Sequence, residues 1–220
     1  MFRAWLRTFF RLLYHELAWT YDVVAWLVSF GQWKAWGRAA IPRLRGRRIL
    51  ELAHGPGHLL VAMKRAGFAP VGLDLSPQMG RLARKRLRDA SCDVPLVRAR
   101  VQALPFRAGA FDSVVSTFPT EFIVDPATVQ EIARVIEQGG RVVLVPGVVF
   151  GASLPARSLE LLYVVTGQHK PELPGIASAL ARAGLTLEQE REPMGLVEVQ
   201  IAVASKPRSL DAASHRLRQD

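Results

Sequence analysis

The 220-residue chain contains one cysteine, Cys92. A single thiol closes no intramolecular disulfide and builds no thiolate metal cluster. Cys92 is therefore expected to be a plain thiol in a reducing compartment, and no metal is expected. Long apolar runs are missing too. The most apolar early run, Val23 to Phe30, falls well short of the ~20 residues that a bilayer-spanning helix needs. The first residues do not read as a cleavable leader. Arg7, Arg11, His15 and Glu16 interrupt any apolar stretch, and no small-residue cleavage site follows. The expected location is the cytoplasm. Acidic residues are scarce: 19 Asp and Glu stand against 29 Lys and Arg, mostly arginine, for a net charge of +10.

Half of the residues are hydrophobic and 22% are charged, the balance of a folded domain with a full core. The basic excess is uneven. Residues 1–48 carry Arg3, Arg7, Arg11, Lys34, Arg38, Arg43, Arg45, Arg47 and Arg48 against only Glu16 and Asp22. A second run, Arg81, Arg84, Lys85, Arg86 and Arg88, falls in a predicted helix. Such charge favours lipid head groups, nucleic acid or acidic substrates, and the simpler reading is a solvated face.

Residues 2–18 have the pattern of an amphipathic helix, with Arg3, Arg7, Arg11 and His15 in one polar stripe. Helix is expected again over 19–40, interrupted by Gly31 and ended near Pro42. This aromatic front section, residues 1–46, reads as a lid over the following domain, with a membrane-surface helix as the alternative. From residue 47 to 206 strands and helices alternate. Strands are expected at Arg48–Ala53, Pro70–Leu75, Val94–Val101, Phe111–Phe118, Arg141–Pro146, Thr186–Glu192 and Val197–Ala204. Helices are expected at Gly57–Ala66, Pro77–Ala90, Pro126–Glu137 and Leu173–Ala183, with Gly139–Gly140 as the stop signal of the third. Residues 207–220 form a polar tail. The pattern predicts an α/β, Rossmann-like, doubly wound sheet of seven strands, mostly parallel, closed by an antiparallel C-terminal hairpin. Ligands belong at the carboxyl ends of such strands.

The first strand-to-helix turn, within ILELAHGPGH (Ile49–His58), lacks the spacing for nicotinamide dinucleotides. G-x-G-x-x-G would place its third glycine at Leu60, or at His58 in the other register. Four segments in order carry a different likeness. They are Glu51-Leu52-Ala53-His54-Gly55-Pro56-Gly57, Leu73-Asp74-Leu75-Ser76, Ala103-Leu104-Pro105-Phe106 with Phe111-Asp112-Ser113-Val114-Val115, and Glu131 to Arg141. Over residues 48–146 the chain resembles the class I S-adenosylmethionine-dependent methyltransferases of the type 11 group. Tyr21-Asp22, Ser29-Phe30-Gly31 and Trp36 resemble the lead-in of quinone-biosynthesis C-methyltransferases.

The resemblance implies S-adenosyl-L-methionine as cofactor, with S-adenosyl-L-homocysteine as product. Gly55 and Gly57 would let the backbone approach its amino-acid end. Glu51 would organise the cationic amino group; its alternative is a strand-end ion pair with nearby arginines. Asp74 would accept the ribose hydroxyls; its alternative is capping the next helix, a task for which Ser76 is also suited. Leu75 and Met79 would flank the adenine. Ala53, His54, His58, Val101, Gln102, Thr117 and Phe118 complete the expected cofactor set. Two departures stand out. Ala53 replaces the first glycine of the motif, and Arg100 stands where members often carry an acidic residue near the adenine.

Methyl transfer is an in-line displacement, so the protein aligns the reactants and excludes water. Tyr14, Tyr21, Phe118 and Phe122 are aromatic candidates for favouring a sulfonium charge, and each is equally a core residue. His15, Tyr21, His58 and His169 are the candidate catalytic residues, and catalysis by proximity alone stays open. Ser116-Thr117-Phe118-Pro119-Thr120 lacks the [DN]-P-P-[YFW] of amino-group nucleic-acid methyltransferases, which argues against a nucleic-acid substrate. The expected acceptor is a small, lipophilic molecule with an oxygen or carbon nucleophile. The alternative is a catalytically silent accessory protein at an anionic membrane. Monomer and homodimer both stay open.

Overall fold

A computed structural model describes residues 32–150, 173–195 and 197–208. The helix expected over 2–18, with His15 and Tyr14, lies outside the described residues, as do Tyr21 and His169.

Strand β1 (Arg48–Leu52) is apolar on both faces, and Ile49, Leu50 and Leu52 are wholly buried. Such a strand belongs in the middle of a sheet covered on both sides. It pairs in parallel with β2 (Ala69–Asp74) and β4 (Phe111–Thr117). Outside β2 lies the short edge strand β3 (Leu96–Arg98), and outside β4 lies β5 (Ile136–Phe150). Strands β6 (Thr186–Met194) and β7 (Val197–Ser205) form the predicted antiparallel hairpin, with β7 inserted beside β5. The order is β3-β2-β1-β4-β5-β7-β6. The chain winds outward from β1 in one direction and from β4 in the other, so a crevice opens above the carboxyl ends of β1 and β4.

Helices α1 (Trp33–Arg38), α2 (His58–Arg65) and α3 (Pro77–Asp89) bring Trp36, Leu60, Met63 and Leu87 into one core with Ile49 and Val143. Helices α4 (Pro126–Val135) and α5 (Leu173–Arg182) cover the opposite face with Ile132, Ile176 and Leu180 against Leu50, Leu52 and Leu144. Trp36 is 1% exposed, so the described part of the front section is packed into the domain core. A short 3-10 turn, Ile41–Arg43, follows it. Its Arg43 ion-pairs with Glu190 and Glu192 on β6.

Three expectations need correction. The helix expected to run to Glu137 ends at Val135, because Ile136 turns to extended backbone (φ −78°, ψ 138°). Gly139–Gly140 consequently lies inside β5 and not at a helix stop. A side chain at Gly140 would collide with Ile136 Cγ2 at 2.4 Å and with the Asp112 carbonyl oxygen at 2.8 Å. The glycines therefore permit the bulge at which pairing jumps from Phe111–Ile136 to Ser113–Arg141. Strand β3 is shorter than Val94–Val101, because only Leu96, Val97 and Arg98 have partners on β2.

Two of the segments that carried the resemblance interlock. Glu131 Oε2 accepts from Leu104 N at 2.6 Å, and Arg134 donates to the carbonyls of Phe106 (2.7 Å) and Leu104 (3.0 Å). Helix α4 thus clamps the β3–β4 connection by satisfying backbone groups that no strand reaches. At the start of β1 and β4, Asp112 accepts from Arg47 N (2.7 Å) and Arg48 N (2.8 Å) and ion-pairs with the Arg48 guanidinium.

The Asp112 carboxyl lies below its ordinary value of 3.8, because the Arg48 and backbone N–H bonds outweigh the opposing push of burial. A depressed carboxyl contributes stability above its unfolded pKa and loses it as pH falls through the folded value. Asp112→Ala should therefore lower stability at neutral pH by about 2–4 kcal/mol. The loss should shrink toward acid, as read by urea unfolding at several pH values. A constant loss at every pH would remove the charge from the explanation.

Candidate functional site

The turn from β1 to α2 is built from residues with left-handed backbone. Ala53 (φ 52°), Gly55 (φ 53°) and Gly57 (φ 80°) alternate with His54 and Pro56. Gly57 is the N-cap of α2, and His58 is its first residue. Each glycine has a different reason. A side chain at Gly57 would press on Ala83 of α3, with Cβ–Cβ at 3.0 Å. At Gly55 nothing lies within 4 Å, so the loop backbone is open on that side. Ala53 stands where the motif has glycine and holds the left-handed conformation in spite of its methyl, a strain of about 1–2 kcal/mol.

Asp74, at the end of β2, holds the loop. Its Oδ2 accepts from Gly55 N at 2.9 Å and its Oδ1 from Ser76 N at 2.8 Å. Ser76 caps α3 by accepting from Met79 N at 3.3 Å, so Asp74 is not needed as the cap. Two further contacts fix the loop. His54 N donates to Leu73 O at 3.3 Å, and Arg86 on α3 donates to Pro56 O. Each Asp74 oxygen keeps an acceptor position beyond its backbone partner.

Glu51 is 2% exposed, and its Oε2 has no hydrogen-bond partner. The expected alternative, an ion pair with nearby arginines, is absent among the described residues. Burial pushes this carboxyl well above its ordinary value of 4.5, and the Asp74 charge pushes it the same way. His54 is also buried, and burial pulls its imidazole below the usual 6.5 against the opposing effect of Asp74. Its Nδ1 lies 2.7 Å from Gly55 O; a carbonyl only accepts, so this nitrogen carries the proton. The arrangement is a buried carboxyl without a partner, a second carboxylate, and a loop open at one glycine. It suits a ligand with both a cationic group and hydroxyls.

Other expected residues divide. Leu75 is 54% exposed beside Asp74, whereas Met79 is buried. Val101 is half-buried, and Gln102 donates to Asp125 Oδ2 at 3.0 Å. Arg100 is exposed. Thr117 and Phe118 close β4 at the crevice. Phe118 has φ 52°, rare for a bulky residue, and its ring stacks on Trp33 at 3.8 Å. Phe122 is half-buried against the α4–α5 core. The sequence reading missed the contacts of Trp33 and Arg86 because both cross between elements distant in the chain. Arg86 and Pro56 are 30 residues apart, and no local pattern links them.

Residues 49–140 match the family model described as a methyltransferase domain. Among curated proteins, the chain is 35% identical over 138 residues to a demethylmenaquinone methyltransferase of Thermus thermophilus, covering 60% of this chain and 63% of the relative. It is 31% identical over 141 residues to a ubiquinone/menaquinone biosynthesis C-methyltransferase of Geotalea uraniireducens, covering 60% of each. The match thus spans less than two thirds of either relative. Among solved structures, a candidate S-adenosyl-L-methionine-dependent methyltransferase of Methanococcus maripaludis superposes with a TM-score of 0.65 at 18% identity, over 87% of this chain and 93% of that one. At that identity the likeness concerns the fold.

Glu51→Gln tests the buried carboxyl. An acid whose folded pKa is raised contributes stability below its unfolded pKa and loses it as pH rises through the folded value. The glutamine variant should therefore gain melting temperature over the parent as pH rises, and parallel melting curves would refute the buried charge. The glycines separate as well. Gly57→Ala should destabilise by about 2–4 kcal/mol through the contact with Ala83, and Gly55→Ala by about 1 kcal/mol. Equal losses in denaturant unfolding would contradict this division.

Proposed function

Because the central domain of this chain is a class I methyltransferase domain, we propose that the protein transfers a methyl group from S-adenosyl-L-methionine to a small lipophilic acceptor. The observation that carries this reading is the unpartnered, buried Glu51 carboxyl beside a glycine loop pinned by Asp74.

The residues present fit that cofactor. Glu51 would face its ammonium group, and the open backbone at Gly55 would admit its amino-acid portion. The free acceptor positions of Asp74 would take the ribose hydroxyls, with exposed Leu75 beside the adenine. When bound, S-adenosyl-L-methionine supplies an electrophilic methyl on a positively charged sulfur. The protein's own task is alignment and exclusion of water. Loop and strand ends fixed by Asp74, Arg86 and the Ser116 Oγ bond to Leu52 O (3.0 Å) provide the rigid part. The stacked Trp33 and Phe118 provide an apolar wall at the end of β4.

The two curated relatives carry quinone-biosynthesis names, and the aromatic wall suits a planar apolar acceptor. We therefore favour a ring carbon of a hydroquinone as the nucleophile. That carbon would take the methyl, the sulfur would keep the electron pair of the bond given up, and the ring would release one proton to solvent. No described histidine is needed to start this step, because a hydroquinone carbon is electron-rich already.

Calorimetry on the full chain should show binding of S-adenosyl-L-methionine. Affinity should rise as pH climbs above the ordinary carboxyl range, because an ionised Glu51 attracts the ammonium. Gly55→Ala should weaken binding about tenfold or more while melting temperature falls by only about 2–4 °C. A labelled methyl should appear on demethylmenaquinone offered in reduced form. No cofactor binding at any pH would defeat the proposal, while binding without transfer to this acceptor would defeat only the quinone assignment.

A further inference from the structure

The basic run of α3 has no role in the cofactor site apart from Arg86. A cleft of about 240 Å³ opens between α3 and the edge strand β3. Leu96, Val97 and Pro77 give it apolar lining, and Arg81, Arg84 and Arg98 bring three exposed guanidinium groups to the same space. Gly80 lines it, and a side chain there would meet nothing within 4 Å, so a larger residue has room to enter the cleft. Glycine inside a helix is unfavourable, so α3 is weakened where the cleft exists.

Three other arginines of the domain are engaged by acids. Arg43, Arg48 and Arg134 each sit on carboxylates. Among the described residues, no carboxylate pairs with Arg81, Arg84 or Arg98. Arg98 donates its Nε to Leu75 O at 3.1 Å, which steadies it at the cleft. His54, Asp74 and Ser76 of the candidate cofactor site also line the cleft. Asp74 accepts from Gly55 N and Ser76 N, which offsets part of its charge, and three guanidinium groups outnumber this one carboxylate. Guanidinium groups match the oxygens of a phosphate in pairs of parallel bonds.

We propose that this cleft binds a phosphate group, held by Arg81, Arg84 and Arg98, with the adjoining carbon atoms of the ligand against Leu96 and Val97. The phosphate belongs either to a soluble phosphomonoester or to an anionic lipid head group, and the chemistry at the arginines is the same. The cleft adjoins the candidate cofactor site through His54, Asp74 and Ser76, but its phosphate contacts need no methyl transfer.

Calorimetry with glycerol 3-phosphate tests the soluble source. Flotation with phosphatidylcholine vesicles, with and without phosphatidic acid, tests the lipid source. Binding in either arm supports the site if Arg84→Ala and Gly80→Leu each weaken it about tenfold. Gly80→Leu fills the cleft with every charge retained and favours the helix, so it guards against a folding artefact that circular dichroism would reveal. Lys85→Ala is the control: Lys85 lies on the same helix, ion-paired to Asp89 at 2.6 Å, and does not line the cleft. Its loss should change binding less than about twofold. The proposal is overturned by absence of binding in both arms, by binding that survives Gly80→Leu and Arg84→Ala, or by an equal loss in Lys85→Ala.

Discussion

The Asp74 carboxylate takes one backbone N–H from Gly55 and another from Ser76, and so ties the first strand-to-helix turn to the second. Three residues of that first turn have positive φ, one of them an alanine. A chain in this conformation does not persist by local preference. It persists because Asp74, the Leu73 carbonyl and Arg86 hold it from β2 and α3. The geometry of the candidate site follows from this cross-link: Gly55 stays open, Gly57 lies against α3, and Glu51 is sealed beneath.

Burial and the proposed cofactor role pull against each other at Glu51. An ionised carboxyl without a partner costs several kcal/mol in a dry interior, so it favours its protonated form. A cationic ligand reverses that preference. The same logic separates the arginines. Those on Asp112 and Glu131 satisfy acids, and Arg134 also satisfies backbone carbonyls of the β3–β4 connection. Those lining the α3–β3 cleft satisfy no acid among the described residues.

Alternating apolar strands and helices with turn residues between them made the α/β order readable, and the seven strands appear in the expected sequence. The glycine loop and Asp74 were readable because their chemistry needs particular residue types at short spacing. The end of α4 was not. Gly139–Gly140 has the local signature of a helix stop, yet the space left by Ile136 and Asp112 placed both glycines in a bulged strand. Gln102 and Met79 were legible as neighbours of a ligand only by position. Their contacts in the fold, Gln102 with Asp125 and the Met79 N–H with Ser76 Oγ, had no local signal.

By itself the sequence determined the layer type, the place of the crevice at the strand ends and the acidic and glycine residues around it. These depend on periodicity and on residues close together in the chain. Tertiary structure alone decided that Glu51 has no partner, that Ala53 is strained, that Trp33 stacks on Phe118, and that three arginines share one cleft. Each of these depends on how elements far apart in the chain meet, and on which polar groups that meeting leaves unsatisfied.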